Sequence, residues 1–241
     1  APQKHPHPNI IESSWSSKAR RLVFLGSSCI YPKYSIQPIK EELLLSGELE
    51  STNQWYAIAK IAGMKLCESL RIQYKFDAIS LMPTNLYGPN DNYHDQNSHV
   101  MASLIKKFLI AKNQKLSSVT CWGSGSVMRE FMHVDDLAEA IIFCLENWFP
   151  INNDKPSYCE CKPLNHLNVG TGKDISIKDL AKKIASITNF KGKIIWDKSK
   201  PDGTPRKLLD INKINKLGWR AKIDLDTGLK ETISLLKKSN L

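Results

Sequence analysis

The sequence lacks any apolar run that approaches the roughly 20 residues a membrane helix needs, so we expect no membrane-spanning helix. It also lacks the pattern of a secretory signal peptide, so we expect no export and place the protein in the cytoplasm. Hydrophobic residues make up 41% and charged residues 24%, which is typical of a soluble globular protein. With 241 residues, the chain can bury a substantial core in one large domain or two small ones.

Acidic residues are in short supply. Asp and Glu number 24 against 34 Lys and Arg, which gives a formal net charge of +10. This balance suits an anionic partner, either nucleic acid or a phosphorylated small molecule. The basic residues are scattered and no nucleic-acid-binding motif accompanies them. We therefore expect a phosphorylated small molecule, and neither nucleic acid nor a membrane, as the partner.

No standard metal-binding spacing occurs among the six cysteines. Cys159 and Cys161 lie near His166, but two cysteines one residue apart with one distant histidine do not match a zinc motif. Cys67 and Cys144 fall within helical patterns, where a thiol packs as a small hydrophobic group. We expect no metal site, and free thiols in a reducing cytoplasm.

A glycine-rich dinucleotide fingerprint is also missing. A dinucleotide-binding fold normally opens with a strand, a glycine-rich turn and a helix whose backbone N–H groups bind the pyrophosphate. The segments 170–172 (GTG) and 123–125 (GSG) resemble this turn but lack its third glycine. Each βαβ unit takes about 30 residues, so two or three absent units would amount to about 60–90 residues. We expect the given residues to lack the amino-terminal, cofactor-binding part of such a fold.

The pattern that is present alternates between strands and helices. After a proline-rich tail over 1–8, short apolar runs predict strands and longer periodic segments predict helices. The order implies an α/β fold with parallel strand pairing. The predicted strands are 21–28, 78–82, 119–122, 167–169 and 193–196, and the predicted helices are 10–19, 53–74, 99–112, 135–147, 177–188 and 226–238.

Tyr56 and Lys60 are the strongest local signal for chemistry. Four residues apart, they share one face of the predicted helix over 53–74. A nearby ammonium group favours phenolate, so Lys60 should lower the pKa of Tyr56 from about 10 towards neutral. Such a tyrosine can donate a proton to a carbonyl oxygen that receives hydride. The spacing alone also occurs in purely structural helices.

Ser27, Ser28 and Cys29 strengthen this interpretation. They follow the predicted strand over 21–28, and ligands of open α/β sheets bind at the carboxyl ends of strands. A serine hydroxyl there could hydrogen-bond a substrate carbonyl beside Tyr56. The set resembles the extended branch of the short-chain dehydrogenase/reductase superfamily, whose Ser/Thr–Tyr–Lys triad corresponds to Ser27, Tyr56 and Lys60.

A closer resemblance covers almost the whole chain from about Arg21. Seven segments in order are similar to the GDP-L-fucose synthase family, which are NADPH-dependent 3,5-epimerases and 4-reductases of GDP-4-keto-6-deoxy-D-mannose. The segments are FLGSSCIYPK (24–33), YAIAKIAG (56–63), MPTNLYGPNDN (82–92), NSHV (97–100), MREFMHVDD (128–136), LNVGTG (167–172) and PDGTPRKLLD (201–210).

The resemblance implies a role for each catalytic residue. Tyr56 would protonate O4 during reduction, Lys60 would lower its pKa and contact the nicotinamide ribose, and Ser27 would orient the keto oxygen. Cys29 and His99 would be the base and acid of the two epimerisations, which fits thiol and imidazole chemistry. Residue types alone leave open that Cys29 is a small buried residue and His99 the first residue of a helix.

The resemblance also implies two binding sets. Lys107, Trp122, Arg129 and Asp202 match positions that hold the GDP part, and a guanidinium and an ammonium group suit a diphosphate. Trp122 could equally be a core residue. The residues that would contact NADP(H) are Leu25, Gly26, Ser27, Ser28, Lys60, Pro83, Thr84, Asn85, Leu86 and His99.

The predicted architecture is an α/β fold with a partial Rossmann-like parallel sheet and a smaller α/β substrate-binding region. We expect a tail and partial helix over 1–20, the carboxyl-side part of the Rossmann-like domain over 21–90, and mainly nucleotide-sugar-binding residues over 91–241. Some of these later segments should return to the sheet.

The complete enzyme would be a homodimer. Two other functions stay open: an inactive nucleotide-sugar-binding module, and a related sugar-nucleotide epimerase or dehydratase, which has no special need for Cys29.

Overall fold

A computed structural model describes residues 7–94, 97–150, 157–159, 162–163 and 165–238. It confirms the predicted α/β class, with parallel strands and helices alternating along the chain.

The helices are α1 (His7–Ser16), α2 (Gln54–Tyr74), α3 (Val100–Asn113), α4 (Val134–Asn147), α5 (Ile177–Thr188), α6 (Asn212–Leu217) and α7 (Leu225–Lys238). The strands are β1 (Leu22–Leu25), β2 (Ala78–Pro83), β3 (Asn85–Tyr87), β4 (Ser118–Trp122), β5 (Met128–His133), β6 (Ser157–Cys159), β7 (Lys162–Pro163), β8 (His166–Val169), β9 (Asp174–Ser176), β10 (Lys193–Asp197) and β11 (Arg206–Lys207).

The chain divides into two compact units, each assembled from three separate segments. The first unit contains Ala1–Thr84, Leu137–Gly172 and Leu209–Arg220. The second contains Asn85–Asp136, Lys173–Leu208 and Ala221–Leu241.

The first unit is built on the parallel sheet β1-β2-β8. Leu22 pairs with Ala78, and Ser80 pairs with His166, so the carboxyl ends of all three strands lie at one edge. All six residues of β2 are buried, as expected for a central parallel strand with both faces covered.

Helix α2 packs on this sheet through a stripe of buried residues. Ala57, Ile61 and Met64 recur at helical spacing and are at most 9% exposed. Gly63 permits a close approach, because a Cβ atom there would lie 2.5 Å from the Phe24 ring on β1. The helix ends at Lys75 in the left-handed conformation.

The second unit holds two small sheets around its own core. Strands β4 and β10 form a parallel pair. In the other sheet, β5 pairs in parallel with β3 and β11 and antiparallel with β9. Helices α3, α5 and α7 contribute most of the core, which includes Phe108, Leu180 and Ile233. Ser176 caps α5 by accepting a hydrogen bond from the backbone of Asp179 at 3.0 Å.

Candidate active site

Helix α2 presents Tyr56 and Lys60 on one face, as their spacing predicts. The Lys60 ammonium lies 5.7 Å from the centre of the Tyr56 ring. Tyr56 is 39% exposed, so its ring is accessible from one side. The helix therefore delivers a phenol and an ammonium group to the same place.

Lys60 joins the helix to the end of β1. Its ammonium donates a 2.9 Å hydrogen bond to the backbone carbonyl of Leu25 and lies 5.4 Å from the centre of the Phe24 ring. Burial lowers the pKa of Lys60, because desolvation disfavours the charged form. The ammonium is thus held at the carboxyl edge of the sheet.

Ser27 and Cys29 begin a short turn directly after β1. The strand ends at Leu25, shorter than the predicted 21–28, because residues 28–30 form one turn of 3₁₀ helix that Ser27 caps. The Ser27 hydroxyl accepts a hydrogen bond from the backbone N–H of Cys29 at 3.2 Å. Ser28 is buried and Cys29 is half-buried. The turn brings a hydroxyl and a thiol to the strand end.

These groups act on the pKa of Tyr56 in a way the sequence did not predict. Burial raises the pKa, a Cys29 thiolate raises it further by charge repulsion, and a hydrogen bond with the Ser27 side chain lowers it. The net shift is upward, opposite to the predicted lowering by Lys60. The reason is geometric: the Lys60 ammonium is directed at the Leu25 carbonyl. Ser27, Cys29 and Tyr56 nevertheless form one interacting cluster.

The same edge carries most of the predicted cofactor residues. Leu25, Gly26, Ser27, Ser28 and Lys60 lie at the end of β1 or beside it. Pro83 ends β2, and the next backbone N–H, from buried Thr84, donates to the Val169 carbonyl at 3.0 Å. A Cβ atom at Gly26 would lie 2.3 Å from the Met82 sulfur, so a larger residue there would displace the end of the Met82 side chain.

The donor set suits the nicotinamide-ribose end of a dinucleotide. The Lys60 ammonium and the hydroxyls of Ser27 and Tyr56 can serve ribose hydroxyls and a carbonyl oxygen. The edge on which they stand is where open α/β sheets bind ligands. The 241 residues contain no glycine-rich turn for the pyrophosphate, so the fit covers one end of the cofactor.

The other predicted cofactor residues belong to the second unit. Asn85 and Leu86 lie on β3, where the Asn85 amide donates to the Glu130 carbonyl at 2.8 Å. His99 precedes α3 at its N-cap with an extended backbone, and its side chain is exposed. A proton donor at that position is accessible to solvent.

The predicted GDP-binding residues cluster in the second unit around Trp122. This residue ends β4 and is 65% exposed, so it is not a core tryptophan. Two ammonium groups lie over its ring, Lys107 at 5.3 Å and Lys200 at 5.5 Å from the centre. Such distances are within the range of cation–π attraction.

Asp202 and Arg129 shape the loops beside Trp122. The Asp202 carboxylate accepts hydrogen bonds from the Ser124 backbone and hydroxyl, both at 2.8 Å. The Arg129 guanidinium donates to the backbone carbonyls of Met128 at 2.8 Å and Asp202 at 3.4 Å. The carboxylate of Asp202 thus holds the loop over 123–126 in place, and its contact with GDP stays a prediction.

Lys200 and Ser124 contact the predicted GDP-binding residues but were not singled out from the sequence. The sequence offers only a weak signal for each residue: the GSGS segment directly after Trp122, and the lysine two residues before Asp202. Neither signal can be connected with Trp122 without knowing that β4 pairs with β10, which brings residues 122 and 197 side by side.

The described part of the chain holds no group of three or more His, Cys, Asp or Glu side chains that could bind a metal ion. The side chains of Cys159 and Cys161 lie outside the described residues.

Among the described helices, none has the length and the hydropathy that a membrane-spanning helix requires.

Comparison with known families agrees with this geometry. Residues 8–155 match the model of the NAD dependent epimerase/dehydratase family. The chain belongs to this family. Among curated proteins, it is 52% identical to probable GDP-L-fucose synthase 1 of Oryza sativa subsp. japonica, over 93% of the chain and 65% of that protein. It is 51% identical to GDP-L-fucose synthase of Escherichia coli K12, over 93% of the chain and 68% of that protein.

A solved structure gives the same result for the fold. GDP-mannoheptose C4 reductase from Campylobacter jejuni, with NADP bound, superposes with a TM-score of 0.82 at 33% identity, covering 96% of this chain and 74% of that one. The resemblance inferred from the seven sequence segments is confirmed by these relatives. The chain spans about two thirds of the length of the curated relatives it matches.

Proposed function

We propose that the protein is an NADPH-dependent enzyme that converts GDP-4-keto-6-deoxy-D-mannose to GDP-L-fucose by 3,5-epimerisation and 4-reduction. The observation that carries this proposal is the cluster of Ser27, Cys29, Tyr56 and Lys60 at one sheet edge. A reductase needs the hydroxyls and the ammonium group, and the neighbouring thiol can in addition move carbon-bound protons. The GDP-L-fucose synthase relatives support the same reaction.

Reduction uses Tyr56 as the acid. NADPH, when bound, supplies the hydride to C4. Tyr56 donates its phenolic proton to the developing O4 alkoxide, and Ser27 donates a hydrogen bond that holds the keto oxygen in line. The upward-shifted pKa of Tyr56 keeps the phenol protonated before the reaction. Lys60, held at the end of β1 by the Leu25 carbonyl, binds the nicotinamide ribose.

Epimerisation uses the acidity that the 4-keto group confers on the C3 and C5 protons. The Cys29 thiolate removes each proton to leave an enolate, and His99 returns a proton to the opposite face of the same carbon. Cys29 thereby becomes a thiol and His99 a neutral imidazole, and proton exchange with solvent restores both. The exposed position of His99 supports this exchange.

The nucleotide is bound by the cluster in the second unit. Lys107 and Arg129 pair with the diphosphate, and exposed Trp122 offers a flat face to the nucleoside. Asp202 holds the loop beside Trp122 through Ser124. The net charge of +10 further favours an anionic substrate.

Isotope exchange separates the two half-reactions and tests the assignment. The full-length protein, incubated with the keto sugar in D₂O without NADPH, should incorporate deuterium at C3 and C5, and adding NADPH should yield GDP-L-fucose. Cys29→Ser should slow the exchange by about 10²–10⁴-fold, as expected for a lost base. Tyr56→Phe is the matched control, because it should block reduction and leave exchange intact.

An unchanged exchange rate in Cys29→Ser would remove Cys29 as the base. Formation of a product that is only reduced at C4, with no deuterium at C3 or C5, would identify a simple 4-reductase instead.

We also propose that the complete enzyme is a homodimer and acts in the cytoplasm. Exposed apolar side chains at both ends of α2, with Trp55 and Ile58 at one end and Ile72 at the other, support pairing with a second copy. A reactive thiol at Cys29 needs a reducing compartment. Light scattering should give twice the chain mass for the parent protein and a lower mass for Ile72→Glu. A parent protein of monomer mass would contradict the dimer.

A further inference from the structure

Lys200 is held beside Trp122 by the turn that follows β10. Strand β10 ends at Asp197, which pairs with Trp122 at the end of β4. The Asp197 carbonyl accepts hydrogen bonds from the backbone N–H of Gly123 at 2.9 Å and of Lys200 at 3.3 Å. The same turn is closed by the Asp197 carboxylate, which accepts from Ser199. The position of Lys200 is therefore fixed by backbone bonds to the residue that pairs with Trp122.

The Lys200 ammonium is attracted by the Asp197 carboxylate, but the two groups form no close ion pair. Across the described ranges, the structure records no carboxylate within ion-pairing distance of Lys200 or Lys107. The nearest acid in sequence, Asp202, directs both carboxylate oxygens at Ser124. Two ammonium groups thus flank one indole ring, and neither forms a close ion pair among the described residues.

Simple packing of the lysine stem explains only part of this arrangement. Lysines often lay their aliphatic stems along apolar surface and leave the charged end in water. Here two lysines from different elements, α3 and the turn after β10, converge on a ring that remains 65% exposed. The guanidinium of Arg129 donates to the carbonyl of Asp202 in the same loop as Lys200. Two ammonium groups over an open aromatic face suit a ligand with an anionic group next to a ring.

We propose that Lys200 is a further nucleotide-binding residue, whose ammonium group pairs with the diphosphate of the GDP moiety beside Trp122. This inference rests on the proposed function. A diphosphate carries more than one negative charge and accepts several charge-assisted hydrogen bonds, so it can engage Lys200 together with Lys107 and Arg129. An ammonium group on a flexible stem acts as a compact point charge, and the diphosphate is the charged part of GDP, so we assign Lys200 to the phosphates.

Calorimetric titration of the protein with GDP and with guanosine tests this assignment. Lys200→Ala should weaken GDP binding by about tenfold, the effect of one charged hydrogen bond, and leave guanosine binding within about twofold. Lys200→Arg should restore most of the GDP affinity. Lys198→Ala is the matched control, because Lys198 is an exposed lysine two residues away in the same turn. It removes the same charge and should leave GDP affinity within about twofold.

The outcomes distinguish this inference from the proposed function. Unchanged GDP affinity in Lys200→Ala overturns the role of Lys200 alone, and so does an equal loss for guanosine, which would place Lys200 at the base. An equal loss in Lys198→Ala would reduce the effect to general surface charge and also overturn it. Failure of the parent protein to bind GDP would overturn the proposed function and the inference together.

Discussion

Tyr56 shows how one residue depends on three neighbours at once. Its hydroxyl interacts with Ser27, a Cys29 thiolate disfavours its ionisation, and the Lys60 ammonium is held by the Leu25 carbonyl. The pKa of Tyr56 is consequently raised, which suits an acid that must be protonated before it reacts. The i, i+4 spacing could be predicted from the sequence. The direction of the pKa shift could not, because it depends on where the Lys60 ammonium points.

Replacing Tyr56 by phenylalanine should abolish reduction by the full-length protein. Loss of a general acid costs about 10²–10⁴-fold in rate, while GDP binding should be unaffected because Lys107, Trp122 and Arg129 are unchanged. Steady-state NADPH oxidation and GDP calorimetry provide the two measurements. Turnover close to that of the parent protein would rule out Tyr56 as the acid.

His166 should make the protein less stable in mild acid. Burial lowers its pKa to about 4, and Lys65 and Lys213 add to the lowering, while its bond to the Glu41 carbonyl and the charge of Glu68 oppose it. The unfolded chain binds a proton near the ordinary pKa of about 6.5 and the folded protein only near 4. Stability is therefore complete above about pH 6.5 and is lost as the pH falls towards 4.

His166→Gln should remove this part of the pH dependence. Between about pH 6.5 and 4, the free energy of unfolding of the variant should fall less steeply, by about 1.4 kcal/mol per pH unit. Urea denaturation at several pH values gives the slopes. His94→Gln, which changes an exposed histidine, should keep the slope of the parent protein. Parallel curves for the parent and His166→Gln would show that His166 does not cause the effect.

At the scale of elements, the predicted helices from α2 onwards agree with the structure to within one residue, whereas the helix predicted over 10–19 lies at His7–Ser16. The predicted helix over 177–188 has the bounds of α5, and the predicted helix over 53–74 begins one residue before α2. Strand β5 was missed because its sequence contains Arg129 and Glu130, although Glu130 is fully buried. Three-residue β3 and six-residue, lysine-rich α6 are too short for a periodic signal.

The close packing of α2 on β1 depends on Gly63. A Cβ atom there would lie 2.5 Å from the Phe24 ring, so Gly63→Val should force the two elements apart. Overpacking of this kind costs about 1–3 kcal/mol, more than the roughly 0.4 kcal/mol that a helix gains when valine replaces glycine. The same displacement should loosen the bond between Lys60 and Leu25 and lower reductase activity.

Thermal unfolding of Gly63→Val measures this cost, with Ala62→Val as the matched control. Ala62 is the exposed neighbour on the same helix, so its replacement should cost only about 0.6 kcal/mol through helix propensity. Equal stability of the two variants would show that the Phe24 ring yields without penalty.

For the whole molecule, the distribution of cofactor contacts predicts weak NADPH binding by these 241 residues alone. The donors described above serve the nicotinamide-ribose end, and the sequence has no glycine-rich turn for the pyrophosphate. Several missing charge-assisted bonds, each worth about 1.5–3 kcal/mol, would lower the affinity by orders of magnitude.

Among the described strands, β1 pairs only with β2, and an open strand edge promotes self-association.

Fluorescence titration of the purified, mass-verified 241-residue protein with NADPH checks this expectation. GDP calorimetry on the same sample is the control, because the second unit contains the proposed nucleotide contacts. Micromolar NADPH affinity together with GDP-L-fucose formation would show that the contacts described here are sufficient.

Because each unit is assembled from three separate segments of the chain, it cannot be completed during synthesis until its last segment has been made. A ribosome releases the chain from its amino terminus, yet the first unit needs Leu209–Arg220 as well as Ala1–Thr84. Leu209 forms a β-bridge with Ile39, and the backbone N–H of Asp210 donates to the Ile39 carbonyl at 2.8 Å. Strands β1 and β2 therefore emerge long before the segment that completes their unit. At about 5–20 residues per second, the early strands wait for many seconds, a period in which a chaperone that shields apolar surface would raise the yield of folded protein.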